Sequence, residues 1–314
     1  MKNVFILFFA ALLCAACDAP ATLNDVADGD NEVEEIATKS KKFTFTVKGD
    51  FAAPTFSRGY LAADGKEMTD LWVFDYVDGV CVQQLHQSAT DEDWGKPKMS
   101  LTLGNHSVYF VASRGSGAVV DMNNHCITWS SVRDTFWKNY AVEVKSSSNG
   151  NRAVTLDRVV TKLKVTVDDE VPSGCAHLLI KPDTWYYGID FVSGAPTAAN
   201  DNAISMDVPA NYVGTDGMLS GSVFSISGAD EWSTDVVVSA TNANGEALGG
   251  ASITAAPMKR NRVTQYDGCL FSVPEDMDVS LVDEGESPIT GKWEGDKNKA
   301  HVGFAMCAFC FRLW

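Results

Sequence analysis

From Lys41 onward the chain alternates apolar and polar residues with a period of two. In KFTFTVKGDF, Phe43, Phe45 and Val47 stand against Thr44, Thr46 and Lys48, the pattern of a half-buried strand. DLWVFDYVDGVCVQQL sets Leu71, Val73 and Tyr76 before a Val77-Asp78-Gly79 turn and Val80 and Val82 after it, which predicts a hairpin. MSLTLGNHSVYFVAS repeats the design, with Leu101 and Leu103, a Gly104-Asn105 turn, then Val108, Phe110 and Ala112. Only SSVRDTFWKNY (Ser130–Tyr140) has a helical look, with Ser130 or Ser131 as its cap. The polar stretch KSSSNGNRA (Lys145–Ala153) reads as a break between domains. Beyond it come Val160, Leu163, Val165 and Val167, then AHLLIKP, GMLSGSVFSIS and RVTQYDGCLFSV. An Asn244-Gly245 turn joins Val236, Val238 and Ala240 to the strand leading to Ile253. Short strands between turn residues predict an all-β chain of two β-sandwiches in series, residues 41–150 and 151–283, rather than βαβ units.

The N-terminus departs from this pattern. Val4–Ala16 is wholly apolar and follows Lys2. It is shorter than the ~20 residues a membrane-spanning helix needs, and it has the flanks of a secretory signal peptide over residues 1–16. Ala15 and Ala16 lead into Cys17, and the run resembles a bacterial lipobox, in which the bond before the cysteine is cut and its thiol acylated. Cys14 stands where such sequences usually have leucine. With Leu12 and Leu13 before it, Cys14 is the poorer acceptor, and as part of a removed segment it cannot form a lasting metal pair with Cys17. A plain soluble secretion signal is the alternative. Residues 17–40 then form a tether holding Asp18, Asp25, Asp28, Asp30, Glu32, Glu34 and Glu35, with no Lys or Arg before Lys39. An acidic stretch behind a lipidated cysteine resembles the surface-export signal of Bacteroidetes lipoproteins, which implies the outer face of the outer membrane.

Charge and chemistry narrow the function further. A net charge of −16 over 314 residues argues against a nucleic-acid or anionic-membrane surface. Cys81, Cys126, Cys175 and Cys269 lie far apart without ligand spacing; Cys81 reads as a small core residue, and disulfide pairing among the four stays open. His86, His106, His125, His177 and His301 are scattered. No nucleophile-elbow, zincin, Walker or Rossmann pattern occurs, so no catalytic, cofactor or metal residue is assigned and the chain is read as a non-enzyme. Asp168, Asp169 and Glu170 read as a solvated turn. In DTWYYGIDF, Trp185, Tyr186 and Tyr187 read as core or seam residues; exposed, they would stack on sugars, the alternative of a glycan-binding surface lipoprotein. In the 284–314 tail, DEGESPITGKWEGDKNKA reads as polar and loose. After it Val302, Phe304, Met306 and Ala308 suit a terminal strand, and Cys307 and Cys310 form a weak zinc motif.

Taken in order, the lipobox, MTDLWVFDYVDG, LTLGNHSVYFVAS, RVVTKLKVTVDDEVP, YYGIDF and RNRVTQYDGCLF resemble the fimbrial anchor and minor-subunit family of Bacteroidales, the fimbrillin-associated anchor proteins of type V pili. The resemblance spans roughly residues 40 to 275; the tail after Asp283 falls outside it. It implies two transthyretin-like sandwiches at the base or tip of a pilus, with other pilins as partners, attachment to the outer membrane through lipid on Cys17, and a host or bacterial surface ligand for a tip subunit. Pili of this family assemble by strand exchange, in which a protease removes a subunit's first strand and a neighbour's strand fills the groove. That maps the first strand onto Phe43, Phe45 and Val47. Arg58 and Arg114 precede glycines, Arg152 and Arg158 straddle the break, and Arg152 reads as the one in a loop suited to cutting. An anchor should keep its first strand, and no arginine lies between Cys17 and Phe43; Lys39, Lys41 and Lys42 leave a lysine-directed cut open.

Overall fold

The computed structural model describes residues 39–49, 68–272, 277–283, 286–295 and 307–311. Cys17, expected to be lipidated, the expected signal peptide of residues 1–16, Arg58, His301, Val302, Phe304 and Met306 lie outside them. The first half supplies β1 (Ser40–Gly49), β2 (Asp70–Val77), β3 (Val80–Ser88), β4 (Lys98–Thr102) and β5 (Gly104–Ser113). It continues with β6 (Val119–Asp121), β7 (Cys126–Thr128), β8 (Thr135–Val144) and β9 (Asn151–Arg158). The second half supplies β10 (Val160–Val167), β11 (Cys175–Pro182), β12 (Tyr186–Asp190), β13 (Pro196–Ala199), β14 (Ile204–Asp207) and β15 (Leu219–Ile226). Then come β16 (Glu231–Asn242), β17 (Ala247–Lys259), β18 (Val263–Gly268), β19 (Met277–Asp283), β20 (Glu286–Gly295) and β21 (Cys307–Phe311). One 3-10 turn, Ala210–Tyr212, is the only helical element among the described residues, so the chain is all-β.

The first sheet runs β3-β2-β5-β8-β9-β1-β4. Only Phe136↔Arg158 and Trp137↔Asp157 join β8 to β9, and the sheet folds over there into two layers. Between them lie Phe43, Phe45 and Val47 of β1, Leu71 and Val73 of β2, Met99 and Leu101 of β4, Phe110 of β5 and Leu156 of β9, all buried. The Asp78-Gly79 hairpin forms as its residues predict, with φ of 48° and 80° at the two positions, the left-handed pair of a type I′ turn.

Four expectations need correction. The Gly104-Asn105 turn is not a hairpin: β4 pairs with β1 and β5 with β2 and β8, so the chain changes layers there. Val80 and Val82 are 64% and 55% exposed, because a register irregularity at Asp75/Tyr76 shifts the faces of β3. Ser130–Tyr140 is not a helix; it leads into β8, whose aromatic and β-branched residues pair with β5 over Gly104–Ser113. The Lys145–Ala153 loop does not end the first sandwich, since β9 pairs in parallel with β1 over Thr44–Gly49, and the chain leaves this sheet at Arg158.

The second sheet runs β14-β11-β16-β17-β21-β20-β19-β18-β10-β15 and folds into two layers bridged by β21. Its core holds Leu163 and Val165 of β10, Ile180 of β11, Val238 of β16, Ile253 of β17 and Tyr266 of β18. The Asn244-Gly245 turn closes the β16–β17 hairpin, pairing Val236 with Ile253 and Val238 with Ala251. The polar run after Asp283 is not loose throughout: β20 pairs with β19, and the terminal strand β21 lies parallel to β17 through Ala251↔Cys307 and Ser252↔Ala308.

A third sheet, β13-β12-β7-β6, draws strands from both halves, with Ile189 of β12 opposite Ile127 of β7. It covers the outer face of β2 and β5, where Trp72, Phe74, Tyr76, Tyr109 and Val111 join Ile127, Val160, Ile189, Phe191 and Ile226 in one apolar cluster. Buried on both faces, β2 reads as a nearly continuous apolar run instead of an alternation. The Phe74 and Phe191 rings stack 4.0 Å apart, and Trp137 Nε1 donates to the Phe191 carbonyl at 2.8 Å.

Candidate functional site

The strand that the sequence marks for function, β1, is paired along both edges. Ser40–Thr44 run antiparallel to Lys98–Thr102 of β4, and Thr44–Gly49 run parallel to Asn151–Leu156 of β9. Further backbone bonds extend these ladders: the amides of Phe45 and Val47 donate to the carbonyls of Pro97 and Gly95 at 3.0 and 2.9 Å. At the other edge Thr44 donates to Gly150 at 2.7 Å. Gly150 permits that approach, since a Cβ there would meet the Lys42 carbonyl oxygen at 2.1 Å.

Phe43, Phe45 and Val47 are all 0% exposed. The Phe45 ring meets Phe110 edge-on at 5.2 Å and Tyr140 at 6.0 Å. Burying two phenylalanines and a valine stabilises the sandwich by roughly 5–9 kcal/mol before the entropy of ordering the strand is counted. Taking β1 away would strip β4 and β9 of their backbone partners and open a groove floored by Phe110, Leu101 and Leu156.

The basic residues around this strand are more constrained than their sequence context suggests. Arg152 is not in an open loop: it lies in β9 opposite Phe45, and its guanidinium sits 5.2 Å over the Phe43 ring. Lys41 and Lys42 are inside β1, with the Lys41 amine bonded to the Ser146 carbonyl. Lys39 is exposed just before the strand, and its carbonyl accepts the Leu103 amide at 3.1 Å. Arg114 follows β5 half-buried, and Arg158 ends β9 in an ion pair with Asp134 at 2.8 Å.

One feature near β1 was not visible in the sequence. Asp75 of β2 and His106 of β5 form a pair whose side chains are both 1% exposed, with Nδ1 2.8 Å from the carboxylate. Nε2 of the same ring lies 2.9 Å from the carbonyl of Thr102, the last residue of β4. The pair thus fastens the end of the strand beside β1 to the opposite layer. Burial pushes the Asp75 carboxyl above its usual range, against the pull of the His106 hydrogen bond and charge. No motif spacing could have shown this, because the partners are brought together only by the strand order.

The remaining candidates are structural. Trp185 is fully buried, so it cannot stack on a sugar; Tyr186 and Tyr187 are half-buried, with Tyr187 packed at both the second core and the shared cluster. Cys81, Cys126, Cys175 and Cys269 are free thiols, all pushed up chiefly by burial. Asp169 is no solvated turn residue, because its carboxylate accepts the amides of Leu270, Phe271 and Ser272 at 2.7–2.9 Å and so fixes the chain after β18. His86 pairs with Asp70 and His177 with Asp207, at 2.8 and 3.2 Å. No cluster of three metal-binding side chains occurs among the described residues.

No family model matches the chain, and no curated protein matches it. Among solved structures it is similar to the fimbrial anchor protein Mfa2 from Porphyromonas gingivalis, at 10% identity over 73% of this chain and 91% of that one, with a TM-score of 0.45. A fimbrial assembly protein from Parabacteroides distasonis aligns at 12% identity over 81% of this chain and 99% of its own, with a TM-score of 0.43. The tip fimbrial protein Mfa3 from Porphyromonas gingivalis, truncated at its C-terminus, aligns at 12% identity over 80% and 99%, with a TM-score of 0.38.

Proposed function

We propose that the chain is a lipid-anchored fimbrial subunit, held to the outer membrane by acylated Cys17 and joined to neighbouring pilins by strand complementation, with no catalytic role. The observation that carries this reading is the setting of β1. It follows the acidic tether directly, it is paired on both edges, and its three apolar side chains are fully buried. Such a strand does two jobs in one covalent piece: it completes the sandwich and ties that sandwich to Cys17. A cut within or just after it would separate the two. The absence of arginine between Cys17 and Phe43, and the enclosure of Lys41 and Lys42 in the ladder, favour a subunit that keeps this strand and stays at the membrane. The burial of Trp185 removes the chief residue of a glycan-binding reading.

Mass spectrometry of the mature protein, recovered from intact cells alongside sheared fimbriae, tests this. An acylated Cys17 on a chain that retains β1 and co-purifies with a polymerising pilin is the expected result. A chain beginning after Lys42 or Arg58 and found along the shaft would make it a stalk or tip subunit. An acylated chain with no pilin attached would overturn the fimbrial assignment.

A further inference from the structure

The first sheet ends on β3, which among the described strands pairs only with β2. Its other edge presents backbone amides and carbonyls that no described strand takes up. Strand edges of this kind are usually blunted by charged residues or proline. β3, VCVQQLHQS, holds no Lys, Arg, Asp, Glu or Pro, and Val80 and Val82 stand exposed on it.

A groove of about 550 Å³ runs beside this edge, lined by Tyr76 of β2, residues 80–84 of β3, and Met122 and His125 of the β6–β7 hairpin. That size falls within the ~300–1,000 Å³ typical of ligand clefts. The Tyr76 hydroxyl is buried in its wall without a hydrogen-bond partner among the described residues. β3 itself is held in place from within the sandwich. Gln83 Oε1 accepts the Ser100 amide at 3.2 Å, and Gln87 Nε2 donates to the Asp93 carbonyl at 2.9 Å. The edge is therefore a preformed template, with little entropy left to lose on binding.

Charge narrows the occupant. Acids flank the strand and none lies in it: Asp78 precedes it, and Asp91, Glu92 and Asp93 follow it, Asp93 being 3.5 Å from the Lys98 amine. A second copy laid antiparallel on β3 would set acids beside acids at both ends. The net charge of −16 on each chain would add to that repulsion.

We propose that the free edge of β3 is a docking site for an extended segment of another polypeptide, apolar at alternate positions and carrying Lys or Arg at both ends. Its backbone continues the sheet, its apolar side chains enter the groove beside the β6–β7 hairpin, and its cations meet the acids that flank β3. The site is separate from β1 and does not depend on how β1 is used.

The test is fluorescence anisotropy of the full chain with a labelled peptide of alternating valine and threonine, as long as β3 and with lysine at each end. Saturable binding is expected. Glutamate in place of the terminal lysines should weaken it about tenfold. N-methylation of every valine and threonine amide should abolish it, because those amides extend the sheet. Val82→Lys, at an exposed position, should weaken it about tenfold with an unchanged circular dichroism spectrum. Met218→Lys, exposed in the second half, should leave it unchanged. Absence of saturable binding, or equal binding of the N-methylated peptide or by the Val82→Lys chain, would overturn the site. A sedimenting dimer of the chain that Val82→Lys dissociates would overturn the occupant in favour of a second copy.

Discussion

The first strand of each sandwich occupies the same position, yet the two are attached to the chain in opposite ways. β1 lies parallel to β9, the last strand of its sandwich, and antiparallel to β4; β10 lies parallel to β18 and antiparallel to β15. Both are inner strands with alternate side chains in a core. β10, however, follows β9 through the single residue Val159, which is buried, donates to the Thr135 carbonyl at 3.0 Å and accepts from Ser227 at 2.8 Å. β1, by contrast, follows the acidic run of residues 17–39 in the sequence, with no strand among the described residues before it. The ladder and the apolar contacts make a strand stable; only its covalent surroundings decide whether it can be exchanged.

The most drastic way to break this comparison is to place a charge in β1. Phe45→Asp should destabilise the first sandwich by upward of about 5 kcal/mol, through lost aromatic burial and an unpaired buried carboxylate. Urea unfolding followed by circular dichroism and by tryptophan fluorescence would show it. Adding a peptide of residues 38–49 to a chain that starts after Gly49 should restore the native signal; the same treatment for β10 should fail, because its loss severs the halves.

Next in size is His106→Ala, which leaves the Asp75 carboxylate buried without its partner and should cost about 3–5 kcal/mol. Hydrogen exchange should then show β4 and β1 opening before β10 and β15. Asp169→Ala acts on the other sandwich: it frees the amides of Leu270, Phe271 and Ser272 and should cost about 1–2 kcal/mol, read as a lower unfolding midpoint with β1 protection intact.

The smallest effect is one of pH. Burial raises the Tyr76 phenol from 10.0 to about 12, helped by the charges of Cys81, Tyr109 and Asp190, and burial alone raises Tyr266. Each folded-state phenol holds its proton longer than the unfolded one. The stability they contribute is therefore complete below pH 10.0 and is lost as pH climbs towards 12. Neither hydroxyl has a hydrogen-bond partner among the described residues, so Tyr76→Phe and Tyr266→Phe should change neutral-pH stability by less than about 1 kcal/mol. Both should flatten the alkaline fall in thermal midpoint, one from each sandwich.

These experiments rest on elements that differ in how plainly the sequence announces them. The alternation of Phe43, Phe45 and Val47 is local, and β1 follows from it directly. The Asp78-Gly79 and Asn244-Gly245 hairpins are local too, because the turn residues themselves supply the backbone geometry. Gly104-Asn105 offers similar turn chemistry but joins strands whose partners lie elsewhere; a turn motif does not encode which layer the next strand enters. Trp185 was legible as a packing residue, whereas the contact of Phe191 with Phe74 depends on a third sheet built from both halves. The Asp75–His106 pair is less accessible still, since its members sit on different strands and carry no spacing rule.

The two-sided pairing of β1 also has a mechanical consequence. A pull on the tether along the axis of this strand loads the bonds to β4 and β9 in shear, so that many must fail together instead of peeling one by one. Detachment under load is then governed by a high unfolding barrier and not by equilibrium stability alone. A strand inserted lengthwise between two neighbours makes a tension-bearing joint.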